Sequence, residues 1–454
     1  MQSLTKEQEI VSIAHKRPLT WDLLEPVFRF GVLIFSIIFI IVAVKENIFF
    51  TWEFAQMGRG EHVFFRYLLF TSGLIFVSSL VFRTYLWFKY RTHSSGSVKE
   101  WPGVTVVIPA YNEGETVYKT ICSIAESDYP EEKLQIITVD DGSKDDTLFY
   151  MEKAESRFPE LVEIIRFPKN RGKREGIYEA YQKAKHPFLV SVDSDTRLEP
   201  DAIKEILTPM MLDGKIGAVT GRIRIWNQDA NVFTKMLSAH FAMAFDFTRA
   251  IQSTFSNVLC LSGAFSAYRK SILDNVMDEW RHQTFLNRPC TYGEDRSLTN
   301  HILKQGYGTS YQRKAISFTM VPEKALGIFK MLTRWARSNI RESIVFARFM
   351  FNMNRRGNRA LPFFEFFSIV SLMVLHFFWF YYFLFSGFVT GNLIFRVISY
   401  SILFGFFYML YYMRIEGKRD FPYIVVFSLF STVFMVWIFS AAGLTLTKRS
   451  WSTR

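Results

Sequence analysis

Apolar positions are gathered into blocks rather than spread along the chain. Residues 30–44 form an almost unbroken apolar run that extends weakly past Lys45 and Glu46 to residue 52. A second run covers 63–88, with Arg66 and Arg83 near its ends, and three more cover 361–385, 388–413 and 421–446. As helices such runs match the ~30 Å of a bilayer's hydrocarbon core, so membrane segments are expected at all five. Between residues 93 and 321 the texture changes. Short apolar stretches at 104–108, 135–139, 162–167, 188–192 and 218–225 alternate there with polar helical patterns such as 113–126 and 173–185. That alternation predicts an α/β domain whose ligands sit beyond the carboxyl ends of its strands. The expected organisation is a cytoplasmic segment with two transmembrane helices (1–95), a cytoplasmic α/β domain (96–320), interfacial amphipathic helices (321–358) and a C-terminal set of transmembrane or re-entrant helices with a tail (359–454).

Basic residues orient these blocks. Lys6, Lys16, Arg17 and Arg29 precede the first run, Arg83, Lys89 and Arg91 close the second, and Arg355, Arg356 and Arg359 precede the third. The positive-inside bias then predicts a multi-pass protein of the plasma membrane with its N-terminus and central domain in the cytoplasm. The last run conflicts with that bias: a full crossing would carry Lys448, Arg449 and Arg454 outside. Ala441, Ala442 and Gly443 permit a bend, so a re-entrant or interface-lying segment with a cytoplasmic C-terminus is expected.

Composition adds three points. Aromatic residues are 17% of the 454, with 48 Phe, which suits a bilayer. The net charge of +12 resides beside the apolar runs and across the central domain, with no basic stripe on a nucleic-acid module. It therefore points to anionic lipid and an anionic substrate, not to nucleic acid. Cys122, Cys260 and Cys290 are too few and too scattered for a disulfide framework or a zinc site, and no signal-peptide pattern opens the chain.

Acidic residues fall at the ends of the expected strands. The first ends in Pro109-Ala110-Tyr111-Asn112-Glu113, the second in Asp140-Asp141-Gly142-Ser143, the fourth in Asp193-Ser194-Asp195. Singly, each acid reads as well as a helix cap or turn residue. Together, mutually repelling carboxylates at one sheet edge suggest a hard divalent cation, which a sugar nucleotide's diphosphate also requires. The cations of Asn170-Arg171-Gly172-Lys173-Arg174 suit that diphosphate.

These motifs resemble the family 2 glycosyltransferases of GT-A fold, an α/β domain with a Rossmann-like mixed sheet. The resemblance implies nucleotide-sugar contacts at Tyr111, Glu113, Asp141, Lys173 and Asp193, and Mg²⁺ or Mn²⁺ at Asp195. The stretch Cys260-Leu261-Ser262-Gly263-Ala264 is similar to one that shapes the acceptor site, which assigns acceptor contacts to Ser262 and Gly263. In Gly293-Glu294-Asp295-Arg296, Asp295 matches the general base that takes the acceptor hydroxyl proton. Thr333-Arg334-Trp335 resembles the interfacial Gln-x-x-Arg-Trp segment of processive synthases, implying that Arg334 binds diphosphate and Trp335 stacks on the acceptor, with Met331 in place of the glutamine. The terminal Trp451-Ser452-Thr453-Arg454 looks like the gating tail of hyaluronan synthases, so Trp451 and Arg454 are assigned to the donor site. Nodulation-type chitin-oligosaccharide synthases share the central motifs. The expectation is an inverting, processive synthase that takes a UDP-sugar donor, extends a polysaccharide acceptor and passes it through the bilayer. A non-processive transferase acting on a lipid carrier, or a chitin or glucan synthase, shares the same nucleotide motifs. A transporter or receptor with an inactive domain would have no need of Asp193, Asp195 and Asp295.

Overall fold

The computed structural model describes residues 78–351 and 422–448 without interruption, together with separate helical positions at 34, 38, 41 and 75, between 363 and 374, and between 398 and 416. The apolar runs at 30–52, 361–385 and 388–413 lie largely outside the described residues, as do Trp451 and Arg454. Among the described residues no helix is long and apolar enough to cross a membrane.

The chain divides into two compact units. Residues 1–75 and 390–429 make the first. In it Ile34, Ile38 and Ile41 are helical and exposed, and the Ser428 hydroxyl donates to the Ser401 carbonyl at 2.7 Å. Residues 76–389 and 430–454 make the second, which holds the α/β domain.

That domain is one eight-stranded sheet. Its strands are β1 (Val104–Ala110), β2 (Leu134–Asp140), β3 (Val162–Arg166), β4 (Phe188–Val192), β5 (Arg197–Leu198), β6 (Ile216–Ile225), β7 (Phe265–Arg269) and β10 (Gly308–Thr319); β8 (Thr284–Phe285) and β9 (Arg288–Pro289) form a separate hairpin. The order is β3-β2-β1-β4-β7-β6-β10-β5. β1, β2 and β4 are buried along their whole length, as continuous apolar runs in a parallel sheet must be. They are connected through α1 (Glu115–Ala125), α2 (Thr147–Arg157) and α3 (Lys173–Lys183). The helix α4 (Ala202–Leu212) covers β6 and β10, and Val106, Ile121, Ile136, Ile203, Leu207 and Phe265 meet in the main core.

The five strands expected from the apolar stretches are all present, with ends moved by one or two residues. What the pattern does not indicate is β7, which runs antiparallel to both β4 and β6 and makes the sheet mixed. Nor does it indicate β10, parallel to β6 with a register shift between Gln312 and Ile316. In the irregular stretch Arg313 makes a twofold ion pair with buried Asp246, at 2.6 and 2.7 Å. Tyr90, just past the helix over 78–89, donates to the Tyr311 carbonyl at 2.9 Å and anchors that helix on β10.

Beyond the sheet come α5 (Val232–Phe241), a π-helical turn (Ala242–Phe247), α6 (Thr248–Ser253), α7 (Met277–Arg281), α8 (Glu294–Lys304) and the long amphipathic α9 (Ala325–Phe349). Ile328, Met331, Leu332 and Ala336 of α9 pack with Ile438 and Ala442 of α10 (Val436–Leu444). Two polar contacts extend this seam: Arg337 Nε donates to Thr445 Oγ1 at 2.9 Å, and the Tyr292 hydroxyl donates to the Leu446 carbonyl at 3.0 Å.

Candidate active site

β1, β2 and β4 are in parallel register, so their carboxyl ends open on one edge. The turn after β1 is pinned by the turn after β2: Asn112, at φ 55°, donates from its backbone to Ser143 Oγ and accepts Lys144 N–H on Oδ1 at 2.9 Å. The backbone N–H groups of Glu113 and Gly114 both donate to Thr147 Oγ1. Tyr111 is left 39% exposed at the rim.

Asp140 and Asp141 separate in role. Asp140 accepts Ser143 N–H at 2.9 Å, a turn contact. Asp141 is buried, with one oxygen on Arg171 N–H at 2.6 Å and the other on Gly172 N–H at 2.8 Å. Burial pushes its carboxyl pKa up against these two donors. The sequence offered a cation or a turn role for the pair and, through the resemblance, a nucleotide-sugar contact for Asp141; here both carboxylates accept backbone N–H groups, and Asp141 fixes where α3 begins. Its first residue is Lys173.

Lys173 Nζ lies between Asp193 Oδ1, within hydrogen-bonding distance, and Glu294 Oε1 at 3.1 Å. Burial alone would lower the ammonium's pKa; the two carboxylates outweigh it and hold the group charged. Gly263 supplies the space, because a Cβ there would stand 2.8 Å from Lys173 Nζ and within 4 Å of both partner carboxylates. Ser262, next to it, is tied by its N–H to Thr220 Oγ1 and by its carbonyl to Ser266 Oγ.

Glu294 and Asp295 open α8. Glu294 is buried; despite desolvation, Lys173 holds its carboxyl below the usual range. Asp295 accepts Gly263 N–H at 3.3 Å and Arg296 N–H at 2.7 Å. Burial first, then the charge of Glu294, pushes Asp295 up. The two adjacent acids are thus shifted in opposite directions, Glu294 down by Lys173 and Asp295 up by burial and by Glu294. Gly293 makes this placement possible: its φ is 72°, and a Cβ would stand 2.0 Å from Ser338 Oγ of α9.

Asp195 accepts Thr319 Oγ1 at 3.2 Å, which ties the end of β10 to the end of β4. Among the described residues no group of three or more His, Cys, Asp or Glu side chains could hold a metal by itself. A hard cation held by Asp193 and Asp195 would therefore have to draw its remaining oxygen ligands from a substrate's phosphates. On α9, Arg334 is half-buried and acts electrostatically on Glu294. Trp335 packs against Phe241 and Phe245, with ring centres 5.7 and 5.9 Å away. Met331, where a glutamine was expected, is buried in the apolar seam with α10.

The structure therefore gathers Lys173, Asp193, Gly263 and Asp295, sets Tyr111 and Asp195 just past the ends of β1 and β4, brings Arg334 of α9 within electrostatic reach of Glu294, and uses Asp141 as a clamp. Sequence reasoning missed Glu294, although it stands beside Asp295 in the motif. It also missed Thr319, because nothing in the pattern marked β10.

Known proteins align with this geometry. Residues 102–338 match the family model "Glycosyltransferase like family 2". The chain is 34% identical to an N-acetylglucosaminyltransferase of Mesorhizobium japonicum over 260 residues, 57% of this chain and 61% of that one. An Azorhizobium caulinodans N-acetylglucosaminyltransferase is 31% identical over 56% of this chain and 64% of its own length. The chain thus spans about three fifths of the rhizobial relatives it matches. The hyaluronan synthase of Streptococcus pyogenes is 31% identical over 325 residues, 70% of this chain and 73% of that one. Among solved structures, the mannosyltransferase PcManGT from Pyrobaculum calidifontis, in complex with GDP-Man and Mn²⁺, superposes with a TM-score of 0.52 over 80% of this chain and 96% of its own. At 16% identity that likeness establishes the fold, the GT-A arrangement expected from the motifs.

Proposed function

The chain belongs to glycosyltransferase-like family 2, and on that premise we propose that it is an inverting, processive polysaccharide synthase using UDP-sugar donors, UDP-GlcNAc with or without UDP-GlcA. One observation carries the reading: Glu294 is locked to Lys173 while its neighbour Asp295, raised in pKa, faces the glycine that borders the same cluster. A family 2 transfer needs a cation for the departing diphosphate and, within a few ångströms, a separate base for the incoming hydroxyl.

The acceptor hydroxyl attacks the anomeric carbon from the face opposite the nucleotide, and Asp295 takes its proton. The bond to the β-phosphate oxygen breaks, and the UDP leaves with the electron pair. Lys173 meets the developing charge, aided by Arg334 of α9, and Asp193 and Asp195 are the residues that would hold Mg²⁺ or Mn²⁺. The bound cation would neutralise charge on the diphosphate as it departs. Tyr111, Glu113 and Asp141 flank the nucleoside side, Ser262, Gly263 and Trp335 the acceptor side, and Trp451 and Arg454 of the tail close over the donor.

Membrane insertion and product export are supported by the apolar runs outside the described residues and by the seam between α9 and α10. The likeness to a hyaluronan synthase over 70% of the chain favours a processive product over transfer to a lipid carrier. The test is to incubate the purified full-length protein with UDP-GlcNAc, UDP-GlcA and UDP-glucose, alone and in pairs, and to weigh the product. Long polymer from UDP-GlcNAc, alone or with UDP-GlcA, is the expected result. A single sugar added to a polyprenyl phosphate would replace this reading with the lipid-carrier one.

A further inference from the structure

On the acceptor side stands a charged group that the proposed reaction does not use. Arg249 of α6 is 3% exposed, and its Cζ lies 4.2 Å from the centre of the Phe245 ring. Phe245 belongs to the π-helical turn Ala242–Phe247 and is also the ring that packs against Trp335. π turns are rare and concentrate at functional sites. With one face of the guanidinium covered by an aromatic ring, its edge N–H groups are what remain for hydrogen bonding. Nη1 is buried and has no hydrogen-bond partner. Cys260 acts on Arg249 through its charge and as a hydrogen-bond partner of the guanidinium, Tyr311 and Asp295 act through charge, and Cys260 Sγ is itself 4.0 Å from Asp295 Oδ2. The guanidinium that carries this orphaned donor therefore lies between the ring neighbouring Trp335 and the thiol neighbouring the base. A buried cation with an unfilled donor is costly in a finished core, and a ligand that brings an acceptor atom removes the cost.

We propose that Arg249 is a specificity residue of the acceptor site, donating from its guanidinium edge to an sp² oxygen on the acceptor sugar, either the carbonyl of an N-acyl group or the carboxylate of a uronic acid. The inference rests on the acceptor roles assigned above to Trp335 and Asp295. Arginine offers only donors, and a carbonyl or carboxylate oxygen offers only lone pairs in its plane, so the match is one-directional. A sugar bearing hydroxyls alone brings no such group.

The test measures binding of three oligosaccharides to the full-length protein by tryptophan fluorescence. Their non-reducing ends are N-acetylglucosamine, glucuronic acid and glucose. The wild type is expected to bind one of the first two more tightly than the glucose-ended ligand. Arg249→Met should weaken that ligand about 10- to 100-fold and close the gap, leaving the glucose-ended ligand within about twofold, because only the charged hydrogen bond is lost. Arg249→Lys, which keeps the charge without the fork, should fall between them and serves as the readout where Arg249→Met does not fold. The ligand that loses affinity identifies the oxygen's source. Equal weakening of all three, or a wild type that does not discriminate, would overturn the proposal. UDP-sugar turnover, followed separately, reports on the parent reading: turnover with no dependence of oligosaccharide binding on Arg249 sinks only this inference.

Discussion

Glu294 and Asp295 show how two adjacent carboxylates are driven apart. Glu294 has a cation at 3.1 Å and stays ionised; Asp295 has that ionised neighbour and a desolvated position. A base must be deprotonated to act, so activity should fall as pH drops through the raised pKa of Asp295. Glu294→Gln removes the like charge and frees Lys173 to act on Asp295, and both changes lower that pKa. The acid limb of the kcat/KM profile should therefore move to lower pH, and a limb that stays or rises would refute the assignment. Asp295→Asn should cut kcat by about 10²–10⁴ and leave donor affinity nearly intact, measured by single-turnover kinetics beside donor titration. Asp195→Asn should abolish transfer, as should chelator on the wild type, with Mg²⁺ or Mn²⁺ restoring only the latter; full activity in excess chelator would exclude the metal role. The titratable types and their motif positions were legible in the sequence. Their division of labour was not, because it depends on Lys173 reaching across from a different helix.

At the scale of elements, the reactive loop is a tight fit between α8 and α9. Arg341 donates to the Tyr292 carbonyl at 2.5 Å and to buried Glu342 at 2.8 Å, and Glu342 also receives Asn300 and Gln283. Gly293→Ala combines a left-handed φ with a Cβ 2.0 Å from Ser338 Oγ. It should destabilise the protein by about 1–3 kcal/mol and displace Asp295, seen as a lower unfolding midpoint together with a loss of kcat. Ser338→Gly in the same chain should recover part of both, because it removes the collision with Ser338 and leaves the φ strain and the approach to Arg341 Nη2, 2.9 Å from the added Cβ. Stability unchanged in Gly293→Ala would show that the loop is not held as described. Five strands and two helices were readable here because each is a local apolar or amphipathic run. β7 and β10 were not, since neither is a continuous apolar run: β7 reads Phe-Ser-Ala-Tyr-Arg, and Gln312, Arg313 and Lys314 interrupt β10.

For the whole molecule, the question is where the chain's end lies. The Leu446 carbonyl bonds to Tyr292, one residue before the Gly293-Glu294-Asp295 loop, and Thr445 bonds to Arg337 of α9. The end of the last apolar run thus lies against the α/β domain. A tag after Arg454 should accordingly be reached only from the cytoplasmic side in intact cells, and Trp451→Ala should depress catalysis without lowering expression. A tag labelled from outside would overturn both the re-entrant reading of residues 421–446 and the gating role of the tail.

The sequence by itself determined the blocks: apolar runs, an α/β domain between them, acids and cations at strand ends, and motifs specific enough to announce the fold family. These are legible because helix and strand periodicity, turn chemistry and motif spacing are properties of neighbouring residues. Only the tertiary structure decided that Asp141 clamps a loop, that Glu294 holds Lys173, that Gly263 must be small, and that Arg249 is buried with a donor unfilled. Charge states and empty donors depend on what lies within a few ångströms, and there the neighbours come from α3, β4, α6, α8 and α9, far apart along the chain.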